Sequence, residues 1–280
     1  MLLVADSGST KCDWLLDQEN GNSLAFTTVG FNPLFHSTEF IVAEIWKNEG
    51  LMEHTTKVTE VHFFGASISS DERKTVVVNA LKQVFRGAEI HADHDLAGAA
   101  IATCNGDPGI ACILGTGSNS CFYDGKEIYE KVPALGYILG DEAGGAWFGK
   151  EFLRLYLYHQ LPALIEQELE HNGVFKEIIF NRVYQQEGAN VYLASFMTTI
   201  KKYKDEKIVQ QLLFEGFREF LKAHVICYNN YKLFPVHFVG SVAKYFRMEL
   251  EQVCSELGIQ SGVFTNEPVQ GLLEYYRNKK

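Results

Sequence analysis

Leu2-Leu3-Val4-Ala5-Asp6-Ser7-Gly8-Ser9-Thr10-Lys11-Cys12-Asp13-Trp14-Leu15-Leu16 opens the chain as two apolar runs around a polar turn. Residues 2–5 form a short apolar run that fits a buried strand, and 12–16 form a second. Between them lies a turn, 6–11, with an acid in front, Gly and Ser at its tip and a lysine behind. Gln18-Glu19-Asn20-Gly21-Asn22 is a second turn, with Gly21 suited to positive φ, and 24–29 is a third strand, completing an antiparallel meander. At Gly109 the pattern restarts: 110–114 is a strand, Gly115-Thr116-Gly117-Ser118-Asn119 a tight turn, and 120–123 the return strand. At an offset of 109 residues, Gly8 falls on Gly117, Ser9 on Ser118 and Cys12 on Cys121. Two strand–turn–strand units therefore open two successive halves of an α/β chain.

Between and after these hairpins, strands and helices alternate. Helical spacing covers 38–48, where Phe40, Ile41, Ile45 and Trp46 share a face, and 71–85, with Asp71 as N-cap. Strands are expected at 58–64 and 89–92, and a small-residue helix at 96–104. From 143 to about 231 the chain is mainly helical, with helices at 148–159, 162–171, 191–203 and 207–229. A strand at 236–239 runs into Gly240-Ser241. A helix at 248–257 and a strand at 263–265 follow, and Pro268 starts a terminal helix over 269–277.

The 280 residues are 46% hydrophobic and 21% charged, enough apolar material for a core and against disorder. With 25 Lys plus Arg against 35 Asp plus Glu, the net charge of −10 gives no global reason to bind nucleic acid or an anionic membrane. Phosphates would have to be held by backbone amides, a metal and a few local cations. No apolar run approaches the roughly 20 residues of a membrane span, and no basic stretch precedes a long apolar run as in a secretory signal. The six cysteines form no C-x-x-C pair and read as buried hydrophobes in a reducing cytoplasm.

Three elements carry chemistry. In Asp6-Ser7-Gly8-Ser9-Thr10-Lys11, Gly8 permits close backbone approach and successive amides form an anion nest; Ser9 and Thr10 add hydroxyls and Lys11 a cation. Asp6 can hold hydrated Mg2+. A plain surface hairpin explains the same residues. Thr116 and Gly117 make the second phosphate turn by the same argument. Gly240-Ser241, at the end of a buried strand, suits a flat ligand such as adenine, or is simply a strand-to-helix turn. No G-x-x-x-x-G-K-[ST] and no G-x-G-x-x-G is present. His91, Asp93, His94 and Asp95 suggest a metal cluster by composition, but strand alternation sends neighbours to opposite faces.

Taken together, Asp6–Thr10, Gly115–Asn119, Gly140-Asp141-Glu142 and Gly240-Ser241 resemble the superfamily of acetate and sugar kinases, heat-shock chaperones and actin. Within it they resemble the N-acetylglucosamine kinase branch, which groups with the activator ATPases of benzoyl-CoA reductase and 2-hydroxyacyl-CoA dehydratases. The resemblance implies two ribonuclease H-like (actin-like ATPase) domains with a nucleotide cleft between them: 1–106 plus 267–280, and 107–266. It implies ATP and Mg2+, with Asp6, Gly8, Ser9, Thr10, Lys11, Thr116, Gly117, Gly240, Ser241 and Tyr245 on the nucleotide. Asp6 would hold the metal through water. Asp95, in His94-Asp95-Leu96-Ala97-Gly98, matches the catalytic aspartate, which accepts the proton of the attacking hydroxyl; as a bare sequence feature it reads equally well as a helix N-cap. Asn32, Ser67, Asp95, Asn119, Leu135, Gly136 and Asp141 match the sugar side, with Phe35 and His36 beside Asn32.

One departure stands out. Ala134-Leu135-Gly136 replaces the family's Gly-Trp-Gly, which points toward a bulkier amino sugar such as N-acetylmuramic acid. The expectation is a cytoplasmic ATP-dependent kinase that phosphorylates an amino sugar, N-acetylglucosamine or a relative such as glucosamine, at O6. It would act without nucleic-acid or membrane partners, and as a homodimer if exposed edges pair. An activator-type ATPase is the alternative. Such relatives hold an iron–sulfur cluster through cysteines, whereas here Cys104 and Cys112 are near neighbours but no cluster motif is present, which argues against it. A sugar sensor is the third.

Overall fold

The first hairpin forms the centre of a sheet. In the computed structural model, which describes all residues except 9, 10, 19, 20, 69 and 280, β1 (Leu2–Ser7) pairs antiparallel with β2 (Lys11–Asp17), and β2 with β3 (Ser23–Val29). Helices α1 (Thr38–Trp46) and α2 (Glu49–Met52) follow, then β4 (Glu60–Gly65), α3 (Asp71–Val84), β5 (Glu89–His94) and α4 (Asp95–Cys104). β4 runs parallel to β1 and β5 parallel to β4, so the sheet order is β3-β2-β1-β4-β5. Leu3, Ala5, Trp14, Leu16, Val61 and Phe63 bury its inner side with Ile41, Ile45, Val77 and Leu81 of α1 and α3. Trp14 lies 6.0–6.4 Å, ring to ring, from Phe31, Phe63 and Phe85, and its indole N–H donates to Thr28 Oγ1 at 3.1 Å. A fully buried aromatic of this kind contributes roughly 2–3 kcal/mol by area alone.

The second unit repeats the plan. Its strands and first helices are β6 (Gly109–Leu114), β7 (Ser118–Tyr123), β8 (Ile128–Tyr129), α5 (Gly136–Leu139), α6 (Gly145–Leu157) and α7 (Ala163–His171). The helical region continues as α8 (Lys176–Tyr184), α9 (Ala189–Ser195), α10 (Met197–Lys202) and α11 (Lys207–His224), and a 3-10 turn at Tyr231–Leu233 follows. Then come β9 (Val236–Val239), α12 (Ser241–Tyr245), α13 (Arg247–Glu256) and β10 (Ser261–Thr265). The sheet order β8-β7-β6-β9-β10 matches the first strand for strand, with β9 parallel to β6 and β10 parallel to β9. α11 buries Leu212, Leu213, Phe217, Phe220 and Leu221 along one side, and Phe148 packs edge-on against Phe217 at 5.3 Å.

By internal contacts the chain divides into Met1–Asp107 with Glu267–Lys280, and Pro108–Asn266. The terminal helix α14 (Pro268–Asn278) lies in the first unit, where Arg277 donates to Asp17 Oδ1 through Nε at 2.9 Å and Nη2 at 2.6 Å. Among the described residues no helix is long and apolar enough to cross a membrane.

Several expectations change. The repeat is offset by 107 residues along the first strand, not 109: β1 at 2–7 corresponds to β6 at 109–114. The bond closing each turn agrees, Gly8 N–H to Lys11 O at 3.0 Å and Gly115 N–H to Gly117 O at 3.0 Å. Gly8 therefore matches Gly115, and the cysteine match at 109 is coincidental. Ser70, not Asp71, caps α3, because its hydroxyl accepts from the Arg73 amide. The expected helix at 191–203 breaks at Phe196, whose ring is drawn into the core against Phe152 and Tyr192. α8 lies within the expected helical stretch but outside the four helices placed there, and α11 stops at His224, short of 229.

Candidate functional site

In the first unit the parallel strands β1, β4 and β5 end level: register places Ser7 beside Gly65 and Gly65 beside His94. Residues just past these carboxyl ends are where open α/β sheets bind ligands. Asp6 closes β1 half-buried, and Asp95 follows β5 as the first residue of α4. Burial, and then the Asp95 charge, push the Asp6 carboxyl up from 3.8 to about 7; Asp13 adds to this and Lys11 opposes it. The two carboxylates thus share one strand-end region and resist being charged together. Asp95 Oδ1 accepts the Leu96 amide at 2.9 Å, and the N-cap position belongs to His94.

Ser7 is fully buried, its hydroxyl accepting the Phe31 amide at 2.8 Å, which fastens the 30–36 segment to the end of β1. In that segment Asn32 Oδ1 accepts the Leu34 amide at 3.0 Å, and the Asn32 amide donates to His36 Nδ1 at 3.2 Å. Phe35 stands 82% exposed. Ser67, beyond β4, has φ +65, a left-handed conformation that costs a non-glycine residue about 1 kcal/mol and that clusters at functional sites. Lys11 is paired with Asp13 at 2.5 Å rather than standing unpaired at the turn. Gly8 is exposed at the hairpin tip; Ser9 and Thr10 lie outside the described residues.

In the second unit the turn 115–119 is held by its neighbours. The first amides of α6 donate into it, Gly145 to Gly115 O at 2.8 Å and Ala146 to Thr116 O at 2.9 Å. Asp141, at φ +56, accepts the Ser118 amide through Oδ1 at 3.3 Å, and burial raises its carboxyl pKa. This crossing is tight: a Cβ on Gly117 would sit 2.6 Å from Asp141 Oδ2, and one on Gly144 would sit 2.8 Å from the Gly117 carbonyl carbon. Ser118 is buried and its hydroxyl has no partner, a polar atom left over inside the turn. Asn119 directs Nδ2 to Glu130 at 3.4 Å and Oδ1 to the Ser120 amide at 2.8 Å. Glu142 reaches the buried imidazole of His224 at 3.2 Å.

Gly240 ends β9 at φ +119, where a Cβ would lie 2.3 Å from the Leu114 carbonyl oxygen; only glycine fits the meeting of these strand ends. Ser241 opens α12 exposed, and Tyr245 is 57% exposed with Lys201 Nζ 3.7 Å over its ring. Gly136 has φ +73 and opens α5, and Leu135, Ile138 and Leu139 there are 53%, 70% and 75% exposed. Cys104 and Cys112 are buried in α4 and β6.

Within the first unit, Asp6, Ser67 and Asp95 gather at one end of the sheet. Within the second, Thr116, Gly117 and Asp141 meet in one tight crossing, with Gly240 on the strand next to β6. Ser118 is the residue the motif reading passed over; only its burial marks it.

No family model matches the chain, and no curated protein matches it. Solved structures do. A protein of Porphyromonas gingivalis is 36% identical over 99% of both chains with a TM-score of 0.94, and one of Chromobacterium violaceum is 17% identical over 98% of both with 0.75. Each bears the name putative N-acetylglucosamine kinase. A ROK family glucokinase from Streptomyces griseus, in complex with glucose and AMPPNP, is 16% identical, covering 99% of this chain and 98% of its own, with a TM-score of 0.59. At such identity the last two show the fold alone: the two-domain α/β fold of actin-like sugar kinases.

Proposed function

The chain belongs to the N-acetylglucosamine kinase-like family of the Porphyromonas gingivalis protein, and on that premise we propose that it is an ATP-dependent phosphotransferase acting on an amino sugar. The observation that carries this reading is the placing of Asp6 and Asp95 at the same end of the sheet, at the carboxyl ends of β1 and β5 on either side of β4. Phosphoryl transfer to a hydroxyl asks for one carboxylate to take the alcohol proton and another near the polyphosphate and its metal.

In this reading Asp95 is the general base. It accepts the sugar hydroxyl proton and aims the oxygen in line with the γ-phosphorus. The 6–11 turn of the first unit would bind phosphate through the Gly8 amide, the Ser9 and Thr10 hydroxyls and Lys11, and the 115–119 turn of the second through the Gly117 amide and the Thr116 and Ser118 hydroxyls. The unpartnered Ser118 hydroxyl is buried in the turn and would gain a partner if the turn shifts to admit a phosphate oxygen. Gly240, Ser241 and Tyr245 serve the nucleoside. With Lys201 over one face of the Tyr245 ring, only the other can meet a base.

The donor set also fits Mg2+. A carboxylate held near pH 7 by burial and by a second carboxylate gains from a divalent cation, and Asp6 would hold that ion through water. Bound there, Mg2+ would neutralise charge on the phosphate oxygens.

Asn32, Ser67, Asn119 and Asp141 would meet the sugar, with O6, its primary hydroxyl, as the acceptor. N-acetylglucosamine is the first candidate substrate. Leu135-Gly136 at the open start of α5, where its family carries tryptophan, favours N-acetylmuramic acid as a second. A coupled ADP-release screen over glucosamine, N-acetylglucosamine, N-acetylmannosamine and N-acetylmuramic acid tests the proposal. Release without sugar, or with none of the four, contradicts it.

A further inference from the structure

The first unit carries a second constellation, away from the strand ends. β4 and β5 pair with His62 opposite His91 and Glu60 opposite Glu89, and residues two apart on a strand share a face. Glu60, His62 and His91 therefore point to the same side of the sheet. An imidazole nitrogen from each histidine and a Glu60 carboxylate oxygen all lie within 4.8 Å of one another. His62 is buried and sandwiched, its ring 4.6 Å from that of His91 and 3.6 Å from that of Tyr276 on α14. A cavity of about 450 Å³ opens beside them, also bordered by Asp93 and Lys74.

We propose that Glu60, His62 and His91 form a binding site for one divalent transition-metal ion of the zinc class, separate from the proposed nucleotide and sugar residues. Two imidazoles and a carboxylate suit Zn2+, Co2+ or Ni2+, whereas Mg2+ and Ca2+ prefer all-oxygen sets.

The existing contacts require only small motion. His62 Nε2 and Glu60 Oε1 are 2.7 Å apart in a direct hydrogen bond, and two donors of a tetrahedral ion stand about 3.3 Å apart at metal–ligand lengths near 2.0–2.1 Å. The ion thus replaces a hydrogen bond with shared coordination. His91 lies on the edge strand with its side chain 46% exposed, so its ring can swing to complete the set. The Glu89 carboxylate, 3.2 Å from His91 Nε2, is a further oxygen donor. The cavity leaves room for water at a remaining position. Occupancy would tie the edge strand β5 to β4 beneath the returning helix α14.

The full chain, stripped with a chelator and titrated with Zn2+ and with Co2+, tests this. Expected are one equivalent bound, the intense visible absorption of four-coordinate Co2+, and a melting temperature raised by several degrees by Zn2+ but not by equal Ca2+. His91→Ala, at an exposed edge position, keeps the fold and should weaken binding at least about tenfold, in line with the sensitivity of metal sites to a lost partner. His62→Ala should abolish it, and His171→Ala should change nothing. Absence of stoichiometric binding, or unaltered affinity in folded His91→Ala, overturns the proposal.

Discussion

Asp6 at the end of β1 is pushed up to about 7 in part by the charge of Asp95, the residue that opens α4 two strands away in the sheet. Two acids so placed are unfavourable for the bare fold. Their persistence at the strand ends is what a site for a cation and a phosphate needs, and it makes stability and activity respond in opposite directions.

The sign follows from the shift. Asp6 titrates near 3.8 when unfolded and near 7 when folded, so between those values the folded chain holds the extra proton and stability falls as pH rises. Asp6→Asn should therefore stabilise the ligand-free protein at pH 8, by about 1–3 kcal/mol, with little gain at pH 4. The same variant should lose most kinase activity. Thermal melts at both pH values, beside turnover, check this; a destabilised variant at pH 8 would contradict it.

Ser67 offers a second opposition. Glycine accepts φ +65 without strain, so Ser67→Gly should leave the fold as stable or up to about 1 kcal/mol more stable. With the hydroxyl gone, KM for the sugar should rise several-fold while KM for ATP holds. Ser67→Ala, which keeps the strain, should show the kinetic loss without the gain in stability.

For Ser118 the expectation concerns the nucleotide. Its buried hydroxyl has no partner, so Ser118→Ala should be neutral or slightly stabilising in denaturant melts. ATP affinity should nevertheless fall by about 1 kcal/mol, near fivefold, as one phosphate hydrogen bond is lost. Equal ATP affinity in the two proteins would remove Ser118 from the site.

Gly240→Ala should destabilise the second unit by several kcal/mol. Its Cβ would meet the Leu114 carbonyl oxygen at 2.3 Å with the backbone at φ +119, and the chain must move to relieve both. A loss below about 1 kcal/mol on chemical denaturation would mean that β6 and β9 yield easily there.

The parts of this fold that could be read from residues are those encoded locally. The hairpin tips, the core strand 236–239 and the amphipathic face of α11 each announce themselves within a dozen residues. What escaped depends on register or tertiary packing. Sliding the repeat by two residues matched Cys12 to Cys121, because Gly and Ser recur in both turns and only the closing hydrogen bonds separate the registers. The cap of α3 is Ser70 and not Asp71, since both are good capping residues and only geometry chooses between them. Composition alone hinted at metal ligands around His91 and Asp93, but His62 and Glu60 lie a strand away, and pairing brings them there. Likewise, Gly117, Asp141 and Gly144 are glycine-rich segments until their crossing shows that a single methyl group would not fit.

The proposed activity turns on Asp95 taking the proton from an amino sugar as ATP's γ-phosphate is transferred. Its most direct test compares wild type with Asp95→Asn for ADP release in the presence of N-acetylglucosamine, with nucleotide affinity measured on the same preparations. Sugar-dependent release should drop by about 10²–10⁴ in the variant while ATP binds nearly as before. Undiminished turnover by Asp95→Asn, or release that ignores the sugar, would contradict it.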